Sequence, residues 1–459
     1  MNKFSLSALV AAGLLAGAAS SASAADLGGN CCADLEERIA ELEATAARKG
    51  NRKVSLTISG WVGEQITWWD DKHESNIYVT GLGQTLSSHF RFAGNAKISG
   101  DVSAGYVMHI ETRTVDSLLG VNQNKDDGGN GLFVLESYWY LKSDHMGQVS
   151  VGQRSSATDN LAILTDGSGS LVQANWVLFE GAGFFLRNST ANGSKQTNFA
   201  WADGLNCYSA AATLNNGSGA GIGGDCTAAP TNNIRYDSPT FMGASLSAAY
   251  GEDDFWDIAG RWSGEHSGFK LAFAIGYSQN TDNANQDGAG KILGSGNLGL
   301  KTDQIQLGGY VQHVATGLFV HGAWLREDIS GAAVGNFGFN ADQAARLNAL
   351  HPEMWYVKAG IRQKHFALGH TVFYGEYAEA KNKLSTAALA NDFTGSNVNW
   401  WGLGLVQEID AAAMSVWVKY RNVDGDFTLA TPSAVNGLTN GKNSVDNLQM
   451  VTFGAMINF

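Results

Sequence analysis

From Lys53 onward, apolar residues recur at every second position. Val54, Leu56 and Ile58 alternate with Ser55, Thr57 and Ser59. Phe90, Phe92, Gly94, Ala96 and Ile98 alternate with Arg91, Asn95 and Lys97, and Val102, Ala104, Tyr106, Met108 and Ile110 with Ser103, His109, Glu111 and Arg113. The same period returns around Leu246, Ile275, Leu307, Val357 and Val418, and the chain closes on Val451, Phe453, Ala455, Ile457 and Phe459. A period of two puts alternate side chains on opposite faces of a strand. About sixteen such strands fit between residues 53 and 459. Short turns (100–101, 144–147, 314–317, 410–412) alternate with long connections (114–131, 279–302, 329–352, 422–446). Short turns at one end and long loops at the other mark an all-β, transmembrane antiparallel β-barrel. A soluble β-sandwich alternates too, but does not require so regular a succession of loop lengths. Barrels of this size enclose water, whereas eight strands are filled by their own side chains.

Composition supports strands and tight turns. The chain has 57 glycines but only 4 prolines, and Pro230, Pro239, Pro352 and Pro432 all fall in turn or loop segments. After the first thirty residues no apolar run approaches the roughly 18 residues that a spanning helix needs. Aromatic residues gather near strand ends, at Trp68-Trp69, 138–140, Trp400-Trp401 and Phe459. They read as interfacial girdles, with core aromatics as the alternative.

The first 52 residues follow other rules. Residues 1–24 read as a secretory signal, with Lys3, an apolar stretch over 4–18 and Ala22-Ser23-Ala24 as the cleavage site. In residues 25–52, Leu35, Ile39, Leu42 and Ala46 form one helical stripe. A helix this short is marginal alone. Either three copies form a short coiled coil, or a single amphipathic helix lies against the barrel. Export places the chain where disulfides persist. Cys207 and Cys226 share one Gly/Ser/Asn-rich connection. A disulfide there would contribute roughly 3 kcal/mol by loop closure, with two free thiols as the alternative. Cys31 and Cys32 are adjacent and remain unassigned. The formal net charge of −13 argues against a nucleic-acid partner.

The longest connection, residues 155–232, separates GQVSVGQR (147–154 with its leading glycine) from NIRYDSP and FMGASLSAAY. So long a segment in a compact domain points to function. An infolding loop would narrow the lumen. The flanking pair resembles the strands around the constriction loop of bacterial outer-membrane general porins, and the chain as a whole is most similar to the porins of α-proteobacteria. That resemblance implies a water-filled homotrimeric channel for passive diffusion of ions and small hydrophilic solutes. It also implies contact with outer-membrane lipid and lipopolysaccharide, and a terminal Phe459 read by the outer-membrane assembly machinery. No cofactor and no metal is expected. A substrate-selective channel on the same barrel is the alternative.

Charge facing the lumen tunes such a channel. Period two puts Arg91, Lys97 and Arg113 on the inward face, and Lys419 and Arg421 share one wall with them once the last strand meets the first and the barrel closes. Alternation sets the side but not the height. The loop offers Asp159, Asp166 and Glu180 as opposing acids, in the manner of the basic wall and acidic loop of the family. Other chemistry finds little support. Residues 219–224 match G-x-G-x-x-G but lie in a loop between the cysteines, without a strand before or a helix after. Residues 283–294 begin like a calcium loop but end on Gly294 rather than Glu. The ten histidines are scattered, and no H-E-x-x-H or G-x-S-x-G occurs, so no enzyme activity is expected.

Overall fold

The structure is a computed structural model that describes residues 53–113, 115–127, 131–188, 196–208, 221–227, 230–251, 254–281, 284–286, 292–297, 300–335, 338–432 and 437–459. The expected signal, the N-terminal helix and half of the calcium-like segment lie outside the described residues.

Sixteen antiparallel positions close into one barrel. β1 is Thr57–Asp70. β2 comes in two segments, Ser75–Gly81 and His89–Ser99, which pair with the two halves of β1. β3 (Val102–Arg113), β4 (Gly131–Ser143) and β5 (Gly147–Arg154) precede the long loop. β6 (Thr231–Asp237), β7 (Ala244–Gly251), β8 (Trp256–His266) and β9 (Phe269–Asn280) follow it. Then come β10 (Lys301–His313), β11 (Leu318–Ser330), β12 (Glu353–Phe366) and β13 (Gly369–Lys381). β14 is Phe393–Ile409 and β15 is Met414–Leu429. β16 again has two segments, Gly441–Ser444 and Leu448–Asn458. The expected outer connection over 422–446 is therefore shorter, because β15 continues to Leu429 and pairs with the first segment of β16. Two short helices, α1 (Ala341–Asn348) and α2 (Thr386–Ala390), sit in long connections. α1 is capped reciprocally by Asn340 and Gln343.

The seam joins β16 to β1, with Trp61 opposite Asn458 and Asp70 opposite Gln449. Gly60 and Phe459 exchange both backbone hydrogen bonds at its end. The usual placement of apolar side chains is reversed. Ile66, Val79, Phe90, Trp139, Ile275, Leu307, Val320, Phe373, Leu403 and Phe453 are exposed on the outer face. Inward positions carry Gln65, Thr67, Gln304, Gln306 and Thr452, all buried. The aromatic expectation holds for only part of the clusters. Trp68, Trp139 and Trp401 face outward, whereas Trp69 and Trp400 are buried inside. Adjacent residues on a strand point opposite ways, so a Trp-Trp pair cannot serve one girdle.

Leu403 is 58% exposed on the outer face in the middle of β14. Leu403→Lys should destabilise the barrel by about 2–4 kcal/mol, the cost of a basic side chain against the hydrocarbon midplane. The check is a denaturant titration in lipid vesicles, read by loss of the fast-migrating folded band on a gel.

Candidate functional site

Residues 155–230 connect β5 to β6, and their described parts pack against inward-facing residues of the wall. At the root, Asp257 of β8 accepts from the backbone N–H of Ala157 (3.1 Å) and from both the N–H and the hydroxyl of Thr158 (2.7 Å each). Gln306 Nε2 donates to the Thr158 carbonyl at 2.7 Å, and Ala162 comes so close to the β10 wall that a Cβ on Gly308 would stand 2.6 Å from its Cα. Further on, Trp176, Val177, Leu178 and Phe179 are buried within one apolar cluster that includes Trp69, Trp400, Val423 and Met450. The loop thus shares one buried apolar cluster with the barrel wall.

The expected disulfide is present. Cys207 and Cys226, separated by 19 residues, are bonded with Cα atoms 5.2 Å apart. It is fastened to the wall through Lys383, whose Nζ lies 3.2 Å from Cys207 Sγ and 3.1 Å from Glu327 Oε2, all three side chains being buried. The glycine run between the cysteines has a packing role. Gly223 adopts φ +71°, and a Cβ on Gly224 would stand 1.9 Å from the Trp176 ring.

The candidate charges do not face one another across open water. Glu180 touches the basic pair directly, with Lys419 Nζ at 2.5 Å and Arg421 Nη1 at 3.0 Å. Arg421 also holds Glu376 at 2.7 Å, and Lys419 donates to the Gln173 carbonyl at 2.9 Å. Asp166 pairs at 2.5 Å with Lys358, which also donates to the carbonyls of Ser170 and Ala174. Lys358, next to Val357, falls on the inward face of β12 by the period of two, but nothing in that pattern singles it out as the partner of Asp166. Burial pushes both acids up, but the facing cations outweigh it and hold Asp166 and Glu180 below the usual carboxylate range.

Asp159 meets another acid instead. Asn160 bridges the two, donating from its side chain to Asp159 (2.8 Å) and from its backbone to Asp225 (3.3 Å). Burial pushes Asp225 up to about 7. Burial and then the Asp225 charge push Asp159 well above its ordinary value. Lys97 is exposed near the short-turn end, paired with Ser103 beside the 100–101 turn. The Arg113 backbone ends β3 opposite Gly131, at the long-loop end. Among the sequence-derived basic residues with described side chains, Arg91 alone sits at mid-height and is only partly covered.

The loop leaves the lumen wall unequally covered. Inward residues of β10 to β16 are buried nearly throughout, as at Gln304, His321, Tyr356, Val372, Val398 and Trp417. On β2 to β8, Arg91, His109, Glu136, Tyr138, Arg235 and Arg261 keep partial exposure. Arg235 bonds Asp237 and the carbonyl of Ser156. Arg261 donates to Ser247 and to the carbonyl of Ala157.

Two outcomes follow from these contacts. Glu180→Gln leaves two buried cations sharing Glu376, at a cost of about 3–5 kcal/mol in loop anchoring. Limited proteolysis in folded protein should then cut within 155–230 where the parent resists. The second concerns pH. A carboxyl whose folded pKa is raised stabilises the fold fully below its unfolded value near 4, and that stability is lost as pH rises through the folded value. The loop root should therefore loosen progressively between about pH 4 and pH 7, seen as faster amide exchange over 157–164 after correction for intrinsic rates. Asp225→Asn should weaken this pH dependence, leaving the part carried by the buried Asp159.

Residues 6–456 match the family described as Gram-negative porin. Among solved structures, the chain is similar to an anion-selective porin from Comamonas acidovorans, at 15% identity over 88% of this chain and 100% of that chain, with a TM-score of 0.52. It is also similar to the outer membrane channel DcaP of Acinetobacter baumannii (12% identity, 90% of this chain, 99% of that chain, TM-score 0.46). A third is Salmonella typhi OmpF in complex with daunomycin (13% identity, 89% and 98%, TM-score 0.47). No curated protein sequence matches. At 15% identity the likeness to the Comamonas porin speaks to the fold alone, while the family match spans nearly the whole chain. With a closed barrel of sixteen strands around an infolded loop, this chain belongs to the Gram-negative porin family, outer-membrane channels for passive diffusion rather than enzymes.

Proposed function

We propose that ions and small hydrophilic solutes cross along the arc lined by β2 to β8, and that the chain works as a homotrimer in contact with outer-membrane lipid and lipopolysaccharide. The observation that carries the path is the unequal cover of the wall, since solutes move where inward side chains still meet water. On this reading Arg91, Arg235 and Arg261 face Glu136 and Asp237 around the permeating stream, while Lys419 and Arg421 set the loop's position from beneath it. The acids Asp166 and Glu180 are consumed in the same anchoring, and Asp159 in the root. The trimer rests on the family and on the apolar stripe of residues 35–46. Recognition by the assembly machinery rests on Phe459, an exposed aromatic that directly follows β16 and lies beside Phe90.

A second reading, a substrate-selective channel, draws on how much of the wall the loop covers. Single-channel recording in planar bilayers separates the two. Current steps in threes, linear in voltage, support the diffusion pore, whereas a current that saturates with one solute class supports the selective channel. Arg91→Glu should move the reversal potential in a salt gradient toward cations. Lys419→Gln should move it much less, because that charge is buried beneath the loop. Equal shifts from both variants would overturn the proposed path.

A further inference from the structure

Two histidines and a carboxylate meet on the inward face of β2 and β3. His109 and Glu111 are two apart on β3 and so share a face. His89 arrives from β2 directly opposite Glu111, and Arg91 stands opposite His109. One ligating atom from each of His89, His109 and Glu111 lies within 4.8 Å of the others. We propose that these three side chains form a binding site for a divalent first-row transition cation of the Zn²⁺ or Co²⁺ type, set in the lumen wall.

The surroundings fit that assignment. His89 Nδ1 lies 3.1 Å from the Ser87 carbonyl, to which its N–H donates, leaving Nε2 as a lone-pair donor. A backbone partner on one ring nitrogen is the usual support for a metal-bound imidazole. Glu111 is oriented by the Thr85 N–H at 3.2 Å. Both groups are thus held by the segment between the two halves of β2, where the strand leaves the sheet. The His89 ring is wedged between Trp61 and His109, with centroids 4.0 and 4.2 Å away. His109 Nε2 is buried without a hydrogen-bond partner, and its Nδ1 lies 4.0 Å from Glu136 Oε2. Imidazole and carboxylate together suit zinc and its neighbours. Bond lengths of about 2.0–2.2 Å place tetrahedral ligand atoms about 3.3–3.6 Å apart, a spacing the three atoms, within 4.8 Å of one another, reach by side-chain adjustment alone. Three protein ligands leave a fourth position open, as in sites that bind an exchangeable water or anion.

The charges nearby act in both directions. Glu136 adds a second carboxylate beside His109, whereas Arg91 opposes an incoming cation. A bound dication next to Arg91 would add positive charge to the uncovered arc and favour anions there. That effect on current rests on the channel reading; the binding itself does not.

The test is calorimetric titration of folded, full-length protein with Zn²⁺, together with Co²⁺ absorption spectroscopy. One site per chain is expected, and His109→Gln and Glu111→Gln should each weaken it at least about tenfold. His351→Gln, which alters an exposed pair with Asp328, should leave it unchanged. Zn²⁺ binding to folded His109→Gln equal to that of the parent would overturn the site. If both variants fail to fold, zinc-edge X-ray absorption of the parent decides. Two imidazoles in the coordination shell support the site, and fewer than two overturn it.

Discussion

Hydrocarbon offers no hydrogen-bond partners, so a β chain can cross it only if every backbone N–H and C=O finds another strand. The β1–β16 seam meets that demand here, ten residue pairs running from Trp61–Asn458 to Asp70–Gln449. The rest of the architecture depends on it. Closure forces strict alternation, alternation sends Ile66, Leu403 and Phe453 to lipid, and the inward positions become the wall of a space too wide for wall side chains alone to fill.

The loop occupies part of that space, which explains why so many charges are buried in a channel. Taking Lys358, Lys419 and Arg421 out of water would be costly alone. Each meets an acid, through Asp166, Glu180 and Glu376, and the backbone carbonyls of Ser170, Gln173 and Ala174 take up remaining donors. Such pairs specify one position of the loop more than they stabilise it. Apolar packing by Trp176 to Phe179 and the Cys207–Cys226 bond hold the same segment by independent means. The wall that remains wet then lies on the opposite arc, and the electrostatics that matter move there with it.

Much of this was legible in the chain, and the errors have physical causes. Period two assigned Arg91, Lys97, Lys419 and Arg421 to the inward face because a strand has only two faces. It could not rank them by depth, because depth depends on where a strand starts and how far it tilts. Lys97 consequently lies near the short-turn end while Arg91 lies at mid-height. The loop acids were recognisable as acids on an infolding segment, but not as partners of the basic wall. Glu180 and Lys419 are 239 residues apart in sequence, and no local pattern couples them. Lys383 and Glu327 were invisible for the same reason, and Lys358, inward by its period, could not be matched to Asp166. His109 and Glu111 carried a signal in their spacing, but His89 joins them only through the register of the β2–β3 pair.

The amino-acid order by itself determined the strands, their two faces, the alternation of short and long connections and the identity of the segment that turns inward. These are local properties, written in side-chain period and in where glycine and proline fall. Only the tertiary structure decided which arc of the wall the loop covers, which charges neutralise one another and which still meet water. Those outcomes depend on contacts between residues far apart along the chain, whose distances are set by barrel closure and by strand register rather than by any neighbour in sequence.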